Sequence, residues 1–197
     1  MGKIFYVMGK SASGKDTIYK RILDDKPDLK TVVIYTTRPI RDGEQNGVEY
    51  YFTTEGKLEE FKRSGKIIES RTYHTVYGPW IYCTVDDGQF DLERYDYLMI
   101  GTLESYGNIR KYFGLEKVIP IYIYVDDGIR LSRALERERQ QKNPRYAEMC
   151  RRFLADEEDF KRENLEKYKI NNQFENNNLD HCVSKIEEMI SSVGSVV

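Results

Sequence analysis

The chain carries Gly9-Lys10-Ser11-Ala12-Ser13-Gly14-Lys15-Asp16-Thr17, a G-x-x-x-x-G-K pattern. Glycines at both ends of such a loop let the backbone wrap an anion, with successive N–H groups pointing inward. A helix beginning near Lys15 adds the positive end of its dipole. Lys15 is then placed to bridge the β- and γ-phosphates of a nucleotide. The pattern has this meaning only between a strand and a helix, and the apolar run Ile4–Met8 and the helical spacing of Asp16–Leu23 supply both. The residue after the lysine is Asp16, where Ser or Thr is usual, and Thr17 follows. Two roles stand open: Asp16 contacts Mg²⁺, or it is a solvated first-turn residue favoured by the helix dipole, with Thr17 on phosphate.

A second anion grip follows the next apolar run. In Thr36-Thr37-Arg38-Pro39-Ile40-Arg41-Asp42-Gly43-Glu44 two arginines stand on a loop constrained by Pro39 and Gly43. Paired guanidiniums so placed can fork onto one phosphate. Tyr50 and Tyr77 add neutral hydrogen bonds to it. One phosphate held by main-chain amides and a lysine, and another held by arginines, is a layout for passing a phosphoryl group between them.

The elements that position these residues alternate. Strand-length apolar runs occur at Ile4–Met8, Thr31–Tyr35, Tyr97–Ile100 and Val118–Val125. Helical spacing occurs at Asp16–Leu23, Glu104–Tyr112, Ile129–Gln141, Tyr146–Tyr168 and Leu179–Ile190. The alternation predicts βαβ units around a parallel sheet. From Thr36 to Thr84 the rhythm breaks, with turn signals at Arg38-Pro39, Asp42-Gly43, Asn46-Gly47 and Tyr77-Gly78-Pro79. Short strands at Glu49–Phe52 and Ile67–Tyr73 around a helix at Thr54–Ser64 make it a small inserted subdomain. The basic stretch Arg137–Arg145, with Pro144, reads as a mobile loop between helices. The run Glu157-Glu158-Asp159 reads as a solvated helix face.

The order of these motifs resembles guanylate kinase over nearly the whole chain. The specific part is Thr36-Thr37-Arg38-Pro39-x-Arg41-x-Gly43-Glu44 after a phosphate loop. Gly47-x-Glu49-Tyr50-Tyr51-Phe52, Ile68-Glu69, Tyr77-Gly78, Arg152-Phe153-Leu154 and Glu175-Asn176-Asn177-Asn178-Leu179 continue it. The resemblance implies a phosphate-loop α/β fold with a parallel five-stranded core over 1–35 and 85–197. It also implies an acceptor-binding insertion over about 36–84 and a lid over about 137–147. It implies ATP as donor with Mg²⁺, and GMP as acceptor. By match, Gly9 to Thr17 and Asn176 bind ATP, with Asn176 near the adenine. Arg38, Arg41, Tyr50 and Tyr77 hold the acceptor phosphate, and Glu69 accepts from guanine. Lys15 and Arg152, with Arg137 or Arg139 from the lid, meet the charge on the transferring group.

Departures cluster on the base side. Ile34-Tyr35 stands where the family has serine, Pro79 where it has Ser or Thr, and Gly101-Thr102-Leu103 where it has Asp-x-Asp, with Glu104 next. The groups that grip phosphate survive while most that read a base do not, and lost hydrogen-bonding groups mean lost discrimination. The rivals are a kinase of another nucleotide or a sugar phosphate, and a phosphopeptide-binding module without turnover.

Composition bounds the remainder. The 197 residues are 40% apolar and 32% charged with net charge −2, which excludes a strongly basic nucleic-acid-coating protein. Cys83, Cys150 and Cys182 form no CxxC, and His74 and His181 no two-His metal motif. No apolar run nears the roughly 18 residues that span a bilayer. A cytoplasmic enzyme of small nucleotides is expected, monomeric or homodimeric, with no nucleic-acid or membrane partner.

Overall fold

The computed structural model describes residues 1–41, 43–75 and 78–194. In chain order the elements are β1 (Ile4–Gly9), α1 (Lys15–Asp25), β2 (Tyr35–Thr36), β3 (Tyr51–Phe52), α2 (Glu55–Arg63), β4 (Ile67–Thr75), β5 (Gly78–Val85) and β6 (Tyr97–Gly101). There follow α3 (Leu103–Phe113), β7 (Val118–Tyr124), α4 (Asp127–Arg139), α5 (Tyr146–Asp159), α6 (Arg162–Lys167), β8 (Phe174–Glu175) and α7 (Leu179–Val193). A parallel sheet has the order β6-β1-β7-β8. A second sheet has the order β3-β2-β5-β4.

The first strand explains the layering. It is buried along its length, because both parities of its side chains meet a helical layer. Ile4, Tyr6 and Met8 pack with Leu103, Tyr106 and Ile109 of α3. Phe5 and Val7 pack with Ile18 and Ile22 of α1 and with Cys182, Val183, Ile186 and Ile190 of α7. Covering the sheet on two sides leaves its carboxyl ends as the open edge, and β1 runs there directly into the phosphate loop.

Two expectations about elements need correction. The run Thr31–Tyr35 does not add a fifth strand to the parallel sheet. Only Lys30 bridges Tyr97, and Tyr35–Thr36 pairs in the second sheet instead. The Gln89 side chain donates to the Val33 carbonyl (3.1 Å) and accepts from its N–H (2.9 Å), taking the backbone groups a ladder would need. The helical pattern Tyr146–Tyr168 is two helices. Nδ2 of Asn164 donates to the carbonyls of Glu158 (2.9 Å) and Asp159 (3.1 Å), which closes the end of α5. β5 and β8 had no strand expectation from the sequence. β5 pairs antiparallel along the length of β4, while β8 supplies only two residues beside Ile123 and Tyr124. No helix among the described residues is long and apolar enough to cross a membrane.

Candidate functional site

The phosphate loop leaves β1 through Gly9. A Cβ there would lie 2.7 Å from the Ile123 carbonyl oxygen and 2.8 Å from Ser13 Oγ, so only glycine fits. The loop closes at Gly14, whose φ of 85° is left-handed and where a Cβ would clash with Asn176 Nδ2. That amide explains the closeness: Asn176 is buried and its Nδ2 donates to the Ser13 carbonyl at 2.8 Å. Asn176 therefore lies under the loop and fixes its path. Ser13 is 1% exposed, and its hydroxyl has no hydrogen-bond partner. α1 starts at Lys15 with no side-chain cap, so its first amides stay open to an anion.

Of the loop's own side chains, Lys15 and Asp16 pair at 3.2 Å at the mouth, the Asp16 carboxylate 78% exposed. Thr17 is exposed beside them. Lys10 behaves differently. It is buried, and its Nζ reaches Glu157 Oε1 at 2.7 Å and Asp127 Oδ1 at 3.3 Å. Burial alone would raise the Asp127 carboxyl, but the hydrogen bond from Arg130 and the Lys10 charge outweigh it and hold the group below its ordinary value. Glu158 and Asp159 are exposed as expected of a solvated face, whereas Glu157 is half-buried and turns to Lys10 and Arg130.

The arginines expected to act together separate into two sets. Arg38 is 3% exposed, and its Nη2 pairs with Glu44 Oε1 at 2.8 Å. Its guanidinium lies over the rings of Tyr50 (5.3 Å) and Phe52 (5.4 Å). Oε2 of the same glutamate accepts from the Arg41 N–H at 2.8 Å, so Glu44 fixes the loop that carries both arginines. The Arg41 side chain is exposed where that of Arg38 is buried. It lines a cavity of about 450 Å³ together with Ser11, Trp80, Arg137, Arg145, Arg152 and Phe153. The phosphate loop, the Arg41 loop and the ends of α4 and α5 thus share one cavity. Glu148 Oε1 holds Arg152 Nε at 2.9 Å on its wall. Arg139 points elsewhere, 4.0 Å from Glu136.

Glu69 is buried on β4 with its carboxylate already engaged. Oε1 accepts from Thr84 Oγ1 at 3.0 Å and Oε2 from Arg71 Nε at 3.1 Å. Arg71 Nη1 continues to Thr102 Oγ1 at 3.1 Å, the hydroxyl that also caps α3. Tyr77 lies outside the described residues. Burial raises the Tyr50 hydroxyl, which leaves it a neutral donor, and pushes the Cys83 thiol up to about 12, as befits a packing residue.

Sequence reasoning missed Arg71, Arg130, Arg145 and Asp156. Arg145 had a signal in the basic stretch around it. Arg130 and Asp156 had none, because their partner Ser11 lies more than a hundred residues away.

A parallel sheet whose first strand delivers a G-x-x-x-x-G-K loop to the start of a helix, with an arginine-lined cavity beside it, defines a phosphate-loop α/β protein. The family model described as guanylate kinase matches residues 1–193, and the chain belongs to that family. The guanylate kinase of Nostoc sp. is 40% identical over 72 residues, 36% of this chain and 36% of the relative. That of Neisseria gonorrhoeae is 31% identical over 122 residues, 62% of this chain and 58% of the relative. The matched stretches thus span between 36% and 58% of these relatives' own lengths. A solved guanylate kinase from Anaplasma phagocytophilum superposes on all of this chain and 88% of its own with a TM-score of 0.69 at 16% identity, a likeness of fold.

Proposed function

We propose that the protein transfers the γ-phosphoryl of ATP to a nucleoside monophosphate, with GMP as the reference acceptor. The observation that carries this is the shared cavity: Ser11 of the phosphate loop, Arg41, Arg137 and Arg152 line one space. The acceptor-binding unit spans about 36–84 and the lid about 137–147. The loop amides and Lys15 take the β- and γ-phosphates. Arg41, with Tyr50 and Arg38 behind it, takes the acceptor phosphate. Arg152 and Arg137 meet charge on the equatorial oxygens as the group moves. No general base is needed, since a phosphate acceptor is already ionised at neutral pH.

The donor set fits Mg²⁺. That ion takes one or two protein carboxylates and finds its other ligands in phosphate and water. Asp16 offers such a carboxylate at the loop mouth, with Thr17 beside it. When bound, the ion supplies neutralising charge to the nucleotide phosphates.

A second acceptor is favoured by one contact. Glu69 is bonded to Arg71 and Thr84, so guanine has to compete with them for its oxygens. An acceptor without guanine's paired donors escapes that cost. A coupled ADP-release screen with ATP against GMP, dGMP, AMP, CMP, UMP, dTMP and sugar phosphates tests both readings. ADP release with GMP well above the others supports the first. Release with another acceptor supports the second. Absence of ATP binding together with phosphopeptide binding overturns the kinase reading.

A further inference from the structure

Behind the phosphate loop lies a charged cluster that phosphoryl transfer, as described above, does not use. Arg130 of α4 is 1% exposed, and its guanidinium stacks 4.5 Å from the ring centroid of Phe153 on α5. Its Nη2 donates to Asp127 Oδ1 at 2.7 Å and Glu157 Oε1 at 2.8 Å, and its Nε to Asp127 at 3.0 Å. Its Nη1 donates to the Ser11 carbonyl at 3.0 Å and lies 3.5 Å from Asp156 Oδ2. Asp156 Oδ2 in turn accepts from the Ser11 N–H at 2.7 Å. Both main-chain polar groups of Ser11 are therefore held by side chains of α4 and α5. Lys10, the neighbouring loop residue, is tied to the same two helices through Asp127 and Glu157.

We propose that Arg130 is a positioning residue whose planar fork, with Asp156, fixes the Ser11 peptide and registers α4 and α5 against the phosphate loop. Its catalytic consequence rests on the kinase reading above. α4 carries Arg137 in its last turn, and α5 carries Arg152. These arginines line the cavity with Ser11, so the cationic wall and the loop share one anchor. Arginine suits that anchor because a rigid fork reaches a carbonyl and several carboxylates at once. An ammonium is a point charge and balances the carboxylates without spanning them. Net stability is a weak reason to bury Arg130, since a buried cation with its partners roughly breaks even with apolar packing. Holding a register is the better account of this one.

The test compares wild type, Arg130→Lys and Arg130→Met by thermal unfolding, steady-state ADP release and amide hydrogen exchange. Arg130→Lys is expected to keep the cooperative unfolding transition. Its kcat should fall about tenfold or more, as small misplacements near reacting groups do, with acceptor KM little changed. Amides of residues 10–14 and of 137–152 should gain exchange together. Arg130→Met should lose at least as much kcat; if it does not fold, the lysine variant carries the test. Full kcat in Arg130→Lys would reduce the role to charge balance and overturn the proposal, as would faster exchange in only one of the two segments. If wild type releases no ADP with any acceptor, the kinase reading fails, and the paired exchange result alone decides the anchor.

Discussion

At the phosphate loop, side chains from distant helices satisfy main-chain groups from behind. Arg130 and Asp156 take both polar groups of Ser11, Asn176 takes the Ser13 carbonyl, and the front of the loop keeps its amides open. On the second sheet the charged side chains satisfy one another. Arg38 holds Glu44, and Arg71 holds Glu69, each pair buried or nearly so. The first region is built before any ligand arrives, so an anion finds the uncapped amides at the start of α1 in place and competes only for Lys15, which pairs with an exposed Asp16. The second must exchange internal partners for ligand groups, so each contact it makes is offset by one it gives up. Arg41 stands between these cases, held by its backbone and free to use its exposed side chain.

The contrast breaks most readily at Lys15. Lys15→Ala is expected to cut turnover about 100-fold or more, by removing charge that meets the β- and γ-phosphates. Near-normal ADP release would remove the donor role from the loop. Next in size is Arg41→Met. The acceptor KM should rise about 10- to 100-fold, the worth of a hydrogen bond to a charged group, while the KM for ATP stays within error. Equal rises for both ligands would mean that the cavity does not divide into donor and acceptor sides.

Arg71→Gln sharpens the comparison on the acceptor side. Freeing Glu69 from its arginine should raise the kcat/KM ratio of GMP over UMP about tenfold, as polar readers of a base discriminate only when available. An unchanged ratio, with the variant folded by circular dichroism, would show that Glu69 has no part in reading the acceptor.

The smallest effect concerns Glu148 on the cavity wall. The hydrogen bond from Arg151 is the main reason its carboxyl falls to about 2, with burial opposing and Arg152 assisting. A depressed folded value contributes stability above the ordinary carboxylate range and loses it as pH falls toward about 2. The side chain is 40% exposed, so solvent screening limits the contribution to about 1 kcal/mol or less. Urea melts of wild type and Glu148→Gln should differ slightly at pH 6 and converge as the solution is acidified. A gap that widens in acid would contradict the pairing.

Much of the site's front was legible from residue order. The spacing Gly9 to Lys15 and the strand before it announce a phosphate loop, because that geometry is local and glycine-dependent. The Arg38 to Glu44 block was legible as a constrained, charged loop, yet its internal pairing was not. Whether Glu44 turns to Arg38 or to solvent depends on Tyr50 and Phe52, which pack beneath the guanidinium. Glu157 shows the same limit from the other side. In sequence it belongs to an acidic run; in space it is half-buried and pairs with buried cations, Lys10 on the phosphate loop and Arg130 on α4.

The order of amino acids by itself determined the alternation of strands and helices, the anion-binding loop and the family to which the chain belongs. These follow from local periodicity and from glycines whose backbone conformations other residues resist. The three-dimensional packing alone decided that Arg38 is buried against Glu44 while Arg41 stays exposed, that Glu69 is engaged by Arg71, and that Arg130 ties the loop to two helices. Those outcomes depend on burial, which makes an unpartnered charge costly and so forces residues far apart in the chain to find one another.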